Sequence, residues 1–403
     1  MEEKFRLQLI LFVYNCFSQK KEWICSCKSA RVLQIFPNWF FDIGLNKSEL
    51  ESLREEIDQI DSEIVRLLNL RVGKACEIGK IKQLSGVDPY DPAREEQVFQ
   101  KVSGYSQGPL RDRSLRAVYR EVISASIALE KDMVIGYLGP EATYTHQAAV
   151  KNFGSGLEYR ALPDIPDVFS AVEAGHCDYG VVPIENSTEG AVNRSLDLLV
   201  DSGLTIIAQV FLRVRHCLFS HSALTEIKEV RSKDQALAQC SDWLRSHLPN
   251  AQLVPVSSTA EAVKGCQSLK EVAAIAGELS GSIYDVPMIE AGIQDRSDNV
   301  TRFLVVARQS LPMREGVHYR TSLVMSLKDE IGALQNALKP FSERGLNLCK
   351  IESRPSKKKS WDYFFFVDFV GHPEETTVSE AIQELKGACA FFRLLGSYPE
   401  QES

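Results

Sequence analysis

Arg71 and Lys82 lie in a stretch, Ser48 to Ser85, that reads as one long amphipathic helix. At about 100° per residue, Leu53, Ile57, Ile60, Ile64, Leu67, Ala75 and Ile78 cluster on one face, and both cations point into it. They are separated by about three helical turns. An unpaired cation among aliphatic side chains costs several kcal/mol, so two of them call for an anionic partner. The expected ligand is a small dianion held inside a helical bundle.

A second group of chemistry-bearing residues is scattered through the middle of the chain. Gly139-Pro-Glu-Ala-Thr-Tyr-Thr145 places hydroxyls at a strand-to-helix turn, where backbone N–H groups and the helix dipole favour an anion. Pro183-Ile-Glu-Asn-Ser-Thr188, Ser257-Ser-Thr-Ala260 and Asp298-Asn-Val-Thr-Arg-Phe303 also sit at expected strand ends or helix starts. One such segment is a weak signal, but four in order are a strong one.

These side chains need elements to position them. The long helix, roughly 55 Å at 1.5 Å per residue, stops at Ser85-Gly86. Asp88-Pro-Tyr-Asp-Pro92 breaks the chain before a second helix from Ala93, and a third runs from about Arg111 to Lys131. So long an apolar stripe cannot be covered by its own domain, which predicts a helical homodimer. After Lys131 the period changes. Strands are expected at Met133 to Leu138, Tyr179 to Ile184, Thr205 to Val210, Val272 to Ala276 and Phe303 to Ala307. Helices are expected at Thr145 to Phe153, Pro166 to Ala174, Ala191 to Asp201, Ala236 to Ser246 and Ser258 to Gln267. That alternation indicates an α/β region of two lobes. From Arg320 a smaller α+β unit of βαββαβ type follows: strand Ser322 to Leu327, helix Ala333 to Arg344, strands Asn347 to Ser353 and Trp361 to Val370, and helix Val378 to Ala388.

Composition bounds the function. The 403 residues allow two to four domains, and 44% hydrophobic with 25% charged residues is ordinary for a soluble protein. A net charge of −8 argues against a nucleic-acid partner, the Lys357-Lys358-Lys359 run reading as a solvated loop. Ten cysteines without a repeating frame suggest a reducing, cytoplasmic setting. Seven histidines include no HExxH pair and no zinc-like spacing with cysteine, so neither a metal nor another cofactor is expected. Leu7 to Tyr14 is too short and too interrupted to span a membrane, and no convincing signal-peptide cleavage site follows it. Residues 1–45 read as an atypical, poorly ordered extension.

The chain from about Leu50 to Pro399 resembles the helical chorismate mutases fused to prephenate dehydratase and an ACT regulatory domain. The resemblance implies a multidomain protein: an all-α mutase at 46–132, a two-lobed α/β dehydratase similar to periplasmic binding proteins at 133–310, and an α+β ACT domain at 320–400. In the mutase it places Arg54, Arg71, Lys82, Asp91, Arg94, Glu95, Ser126 and Glu130 around chorismate, Arg54 serving the partner subunit's site. Guanidinium groups can hold the two carboxylates of chorismate, and a cation with a hydrogen-bond donor can meet the charge growing on the ether oxygen. Lys82 is the expected cation and the side chain at 130 the donor. Several relatives carry Gln there; Glu130 must then be protonated in the working state, through a pKa raised by burial.

In the dehydratase, the resemblance makes Thr301 the central catalytic residue, with Asn186 and Gln239 positioning prephenate. Thr143, Thr145, Ser187, Ser258 and Thr259 also face the substrate, and Arg302 is the expected carboxylate anchor. A threonine hydroxyl is a poor acid, so Thr301 is expected to relay or orient the proton. Ala142 stands where relatives usually have Gly. In the ACT segment, Gly332, Ala333 and Leu334 with Glu352, Ser353, Arg354 and Pro355 resemble the phenylalanine-binding stretches, the latter four shaping a neighbouring subunit's pocket; Ile331 replaces a frequent Pro. The implied activity is chorismate to prephenate to phenylpyruvate, inhibited by L-phenylalanine, in a homodimer or higher oligomer with no membrane partner. Arogenate as substrate, giving phenylalanine directly, and a non-catalytic amino-acid-binding regulator are the alternative readings.

Overall fold

The structure is a computed structural model that describes residues 47–84, 88–356 and 363–401. It divides into two units between Leu67 and Leu68, inside helix α1 (Lys47–Leu84). The expected extension at 1–45 and the lysine run lie outside the described residues.

In the first unit the stripe residues Leu53, Ile57, Ile60, Ile64 and Leu67 are uncovered, each between 47% and 58% exposed. A helix that turns its apolar face to water is incomplete as a soluble structure.

The second unit begins with the rest of α1, followed by α2 (Pro92–Tyr105) and α3 (Asp112–Glu130). Pro92 at the first helical position and the Asp91 carboxylate, which accepts from Arg94 N–H at 2.9 Å, start α2. Tyr90 just before α2, Phe99 within it, and Ile123 and Ile127 of α3 join the buried core of the first α/β lobe, which includes Ile135, Phe153, Tyr179 and Phe303.

That lobe holds β1 (Val134–Leu138), α4 (Tyr144–Phe153), β2 (Glu158–Leu162), α5 (Ile165–Glu173), β3 (Tyr179–Asn186), β4 (Gly190–Ala191), α6 (Asn193–Asp201), β5 (Thr205–Arg213) and, after the second lobe, β11 (Val300–Ala307). Its strands run in the order β2-β1-β3-β11-β5, with β11 antiparallel to both neighbours. The second lobe contains β6 (Cys217–Phe219), β7 (Glu229–Ser232), α7 (Asp234–Gln239), α8 (Ser241–His247), β8 (Gln252–Pro255), α9 (Thr259–Lys264), β9 (Val272–Ala276), α10 (Leu279–Tyr284) and β10 (Met288–Ala291), ordered β10-β6-β9-β7-β8. Two crossings join the lobes, tied together where Gly292 and Ile293 donate to the His216 carbonyl at 2.9 and 3.0 Å.

Besides the two-residue β4, five of these strands, β2, β6, β7, β8 and β10, are absent from the sequence reading. They are three to five residues long, and only Cys217–Phe219 is buried throughout, so most carry no apolar run to announce them. The helix expected over Ala236 to Ser246 is two helices broken at Cys240, where φ −117° and ψ 17° leave the helical region.

The C-terminal unit is β12 (Tyr319–Leu327), α11 (Ala333–Glu343), β13 (Leu348–Pro355), β14 (Tyr363–Val370), α12 (Thr376–Ala388) and β15 (Cys389–Pro399), an antiparallel sheet of order β13-β14-β12-β15. Side-chain alternation sorts its two faces. Leu323, Met325, Val367 and Phe369 pack under α11 and α12, whereas Val324, Phe364 and Phe366 enter the core of the first lobe with Ile184, Leu196 and Leu304. Gly396 permits the contact: at φ +149° a Cβ there would stand 2.1 Å from the Ile206 carbonyl oxygen of β5. The final strand, unplaced in the sequence, completes this junction, its Arg393 donating to the Val200 and Leu204 carbonyls, both at 3.0 Å.

Candidate active sites

The second half of α1, the start of α2 and the end of α3 bring five of the expected mutase residues into one cluster. Arg71 donates to Ser126 Oγ at 3.2 Å, and its guanidinium lies 5.9 Å from the Tyr119 ring centre. Lys82, half-buried, donates to the Pro89 carbonyl at 3.1 Å. Its charge acts on two carboxyls, Glu95 and Glu130, lowering the pKa of each against the opposing effect of burial. Burial wins in both, pushing Glu95 up to about 7 although Arg120 bonds it at 2.5 Å, and raising Glu130 as well. The site therefore has Glu130 shifted towards the protonated donor that the chemistry requires.

Gly79 makes room for that carboxyl. A Cβ at this position would come within 2.7 Å of the Glu130 Cγ, Cδ and Oε2 atoms. Gly79→Ala favours the helix by about 1 kcal/mol in propensity yet must push the Glu130 carboxyl aside. Mutase turnover is expected to fall by about tenfold or more while dehydratase turnover on prephenate stays within about twofold. Assaying the two reactions separately on this variant checks it.

Two expected mutase residues have structural partners. Asp91 caps α2 and also receives Arg314 at 2.6 Å, and Arg94 is exposed, donating to Gln97 at 3.1 Å. Arg54 is an exposed residue of the first unit.

A second cluster lines an open cleft of about 70 Å³ between the two α/β lobes, bounded by Asn186, Asn299 and Thr301 on one side and by His216, Lys233, Gln235, Gln239 and Thr259 on the other. β11 and β3 pair with Thr301 opposite Asn186, so the two side chains meet: Asn186 Nδ2 donates to Thr301 Oγ1 at 2.8 Å and to Asn299 Oδ1 at 2.7 Å. The Asn186 carbonyl oxygen accepts from Thr188 N–H and Oγ1 and from Glu189 N–H, which fixes the amide orientation. Because Thr301 Oγ1 accepts from Asn186, its own proton is left to point elsewhere.

The network continues through residues the sequence reading did not assign. Asn299 Nδ2 donates to Gln239 Oε1 at 3.4 Å, and the same oxygen lies 2.8 Å from His216 Nε2. His216 Nδ1 lies 2.8 Å from the Tyr144 hydroxyl. Burial holds the His216 pKa below its usual value, so the ring is neutral, with Nε2 as the donor to Gln239 and Nδ1 the acceptor. With its oxygen engaged twice, Gln239 has its NH₂ free for a ligand. Asn299 lay inside a quoted motif and was legible in principle; His216 had no local signal.

Arg302 is not the carboxylate anchor expected from its sequence position. Successive residues of a strand face opposite ways, so with Thr301 in the cleft Arg302 turns into the protein. There, 6% exposed, it bonds Asp368 at 2.6 Å, Tyr398 at 2.8 Å and Gln209 at 3.0 Å, a fully engaged guanidinium joining the first lobe to the C-terminal unit. Arg354, expected in the effector stretch, forks two nitrogens onto Asp197 of α6 at 2.7 and 2.6 Å within the same chain. Thr143 uses its hydroxyl to cap α4, accepting from His146 N–H and donating to Leu138 O, Ser258 caps α9, and Ser187 ties β3 to β11 through Val300 N–H. Thr145 is buried.

In the C-terminal unit Gly332 has φ +80° immediately before α11, a left-handed conformation suited to glycine. Ala333 and Leu334 follow half-buried, while Ser353 and Pro355 are exposed on the edge strand β13 and Glu352 is half-buried there. Among the described residues no group of His, Cys, Asp and Glu is arranged to hold a metal ion, and no helix is long and apolar enough to cross a membrane.

Comparison with known proteins gives three matching family models in chain order: Chorismate mutase type II over residues 53–131, Prephenate dehydratase over 135–311 and ACT domain over 321–387. A bifunctional chorismate mutase/prephenate dehydratase of Aquifex aeolicus is 43% identical over 87% of this chain and 98% of its own length. The corresponding Neisseria gonorrhoeae protein is 42% identical over 86% of the chain and 96% of its own length. Among solved structures, prephenate dehydratase from Arthrobacter aurescens in complex with L-Phe has a TM-score of 0.62 at 34% identity, covering 67% of this chain and 92% of that one. With the three domains in this order and such relatives spanning most of its length, the chain belongs to the bifunctional chorismate mutase/prephenate dehydratases, enzymes of both activities with a C-terminal ACT domain.

Proposed function

We propose that the chain rearranges chorismate to prephenate at the helical cluster and converts prephenate to phenylpyruvate in the cleft between the lobes. The observation that carries this reading is the Asn186–Thr301 hydrogen bond in an open cleft, in the same chain that gathers Arg71, Lys82 and Glu130 on helices elsewhere. At the first site Arg71, with Arg54 from a partner, Arg94 and Ser126, holds the carboxylates of chorismate, and Asp91 and Glu95 set the shape and charge of the pocket. The rearrangement needs no covalent catalyst. Holding the compressed conformer, with Lys82 and protonated Glu130 aimed at the ether oxygen, stabilises the charge that grows there.

In the second reaction prephenate and one proton give phenylpyruvate, water and CO₂. The ring C–OH bond breaks as its oxygen gains the proton, and the electron pair of the breaking bond to CO₂ completes the aromatic ring. Thr301 presents or relays that proton; Asn186 and Gln239 fix the substrate against it, with Thr143, Thr145, Ser187, Ser258 and Thr259 shaping the surrounding turns.

The ACT domain supports feedback inhibition by phenylalanine, with Gly332, Ala333, Leu334, Glu352, Ser353 and Pro355 forming the effector site and the edge strand β13 open to a neighbouring subunit. The uncovered stripe on α1 supports a homodimer, and the proposed mutase, dehydratase and ACT domains span 46–132, 133–310 and 320–400. A cytoplasmic location is consistent with the free thiols of the second unit. Supplying purified protein with chorismate tests the reading: phenylpyruvate should accumulate and phenylalanine should slow its formation. Preference for arogenate, with phenylalanine as product, would establish the alternative substrate. No turnover of any of the three would leave an amino-acid-binding regulator.

A further inference from the structure

Prephenate carries two carboxylates, and with Arg302 bonded inside the protein the dehydratase cleft lacks its expected cation. The charges around Thr301 point to a replacement. Among the residues lining the cleft, Asn186, Gln235, Gln239, Asn299, Thr259 and Thr301 are uncharged, and His216 is held neutral by burial. Lys233 is the one full positive charge on that lining. The adjoining wall adds Arg296, but this guanidinium already grips Asp298 through two bonds at 3.1 and 2.9 Å. Glu189 is engaged by Gln235. Among the described residues, Lys233 has no ion pair or side-chain hydrogen bond, and it sits where β7 ends and α7 begins, across the cleft from Thr301.

We propose that Lys233 anchors a carboxylate of prephenate, and that it holds the one on the pyruvyl side chain. The assignment rests on the dehydratase reading above, and the choice of carboxylate follows from the charge changes in the reaction. The ring carboxylate loses its charge as it departs as CO₂, so a cation gripping it would stabilise the ground state over the transition state and slow the step. The pyruvyl carboxylate keeps its charge throughout and survives in phenylpyruvate. A cation on that group binds substrate, transition state and product alike, which makes Lys233 a specificity-determining residue outside the bond-breaking chemistry. Lysine, a compact point charge on a long stem, suits an exposed position where bidentate geometry is not required.

The test is steady-state dehydratase kinetics on the full-length protein bearing Lys233→Met or Lys233→Arg. Lys233→Met should raise KM for prephenate by about tenfold or more, the effect of one charge-assisted hydrogen bond, with kcat within about twofold of the parent. Inhibition by added phenylpyruvate should weaken by a similar factor, and Lys233→Arg should restore most of both. Mutase turnover of the same preparations reports that the variants are folded. An unchanged KM in folded Lys233→Met overturns the proposal, as does a fall in kcat at constant KM. Absence of prephenate turnover in the parent enzyme would instead remove the dehydratase reading on which it rests.

Discussion

Thr301→Val is expected to lose dehydratase turnover by about 10²-fold or more, while Thr301→Ser keeps most of it. The two substitutions separate shape from chemistry, since valine matches threonine in outline and serine retains only the hydroxyl. In the structure that hydroxyl accepts from Asn186 Nδ2, which leaves its proton for the departing ring oxygen. Valine removes the donor but leaves Asn186 bonded to Asn299, so the stability loss stays near about 1 kcal/mol, too small to unfold the domain. Steady-state rates on prephenate decide it: equal activity in both variants would mean that Thr301 is a packing residue.

The second large effect is on the mutase and depends on pH. Burial raises the Glu130 pKa against the lowering influence of Lys82. Below the raised value the carboxyl is protonated and donates to the ether oxygen; above it the carboxylate repels the growing charge, so kcat/KM falls as pH rises. Glu130→Gln presents a donor at every pH and should flatten this alkaline limb. Glu95, pushed up to about 7 by burial, faces the same lysine and is the other group able to produce such a limb. If the limb persists unchanged in Glu130→Gln, the titration belongs to Glu95 or elsewhere and the protonated-donor account is wrong.

The sequence made the elements with strong periodicity legible. The long helix, α2 and α3, the strand at Val272–Ala276 and the βαββαβ order lie within a few residues of their expected positions, because apolar spacing and caps such as Asp91-Pro92 are local signals. What escaped depends on tertiary context. Arg302 follows Thr301 in the chain, and only the strand's alternation together with Asp368 on a distant strand decides that it faces inward. Arg354 reads as part of a ligand motif, yet its fork onto Asp197 is set by how the C-terminal sheet lies on α6. His216 carries no spacing signal at all; its role as the holder of Gln239 appears only when the two crossings between lobes come together.

The central claim is that one chain holds two chemically independent active sites, and the most direct measurement is each activity in each of two variants. Purified Lys82→Ala should lose most mutase turnover on chorismate while its turnover of prephenate stays within about twofold of the parent. Thr301→Val should show the reverse, accumulating prephenate from chorismate without forming phenylpyruvate. Loss of both activities together in either folded variant would contradict the assignment of two sites.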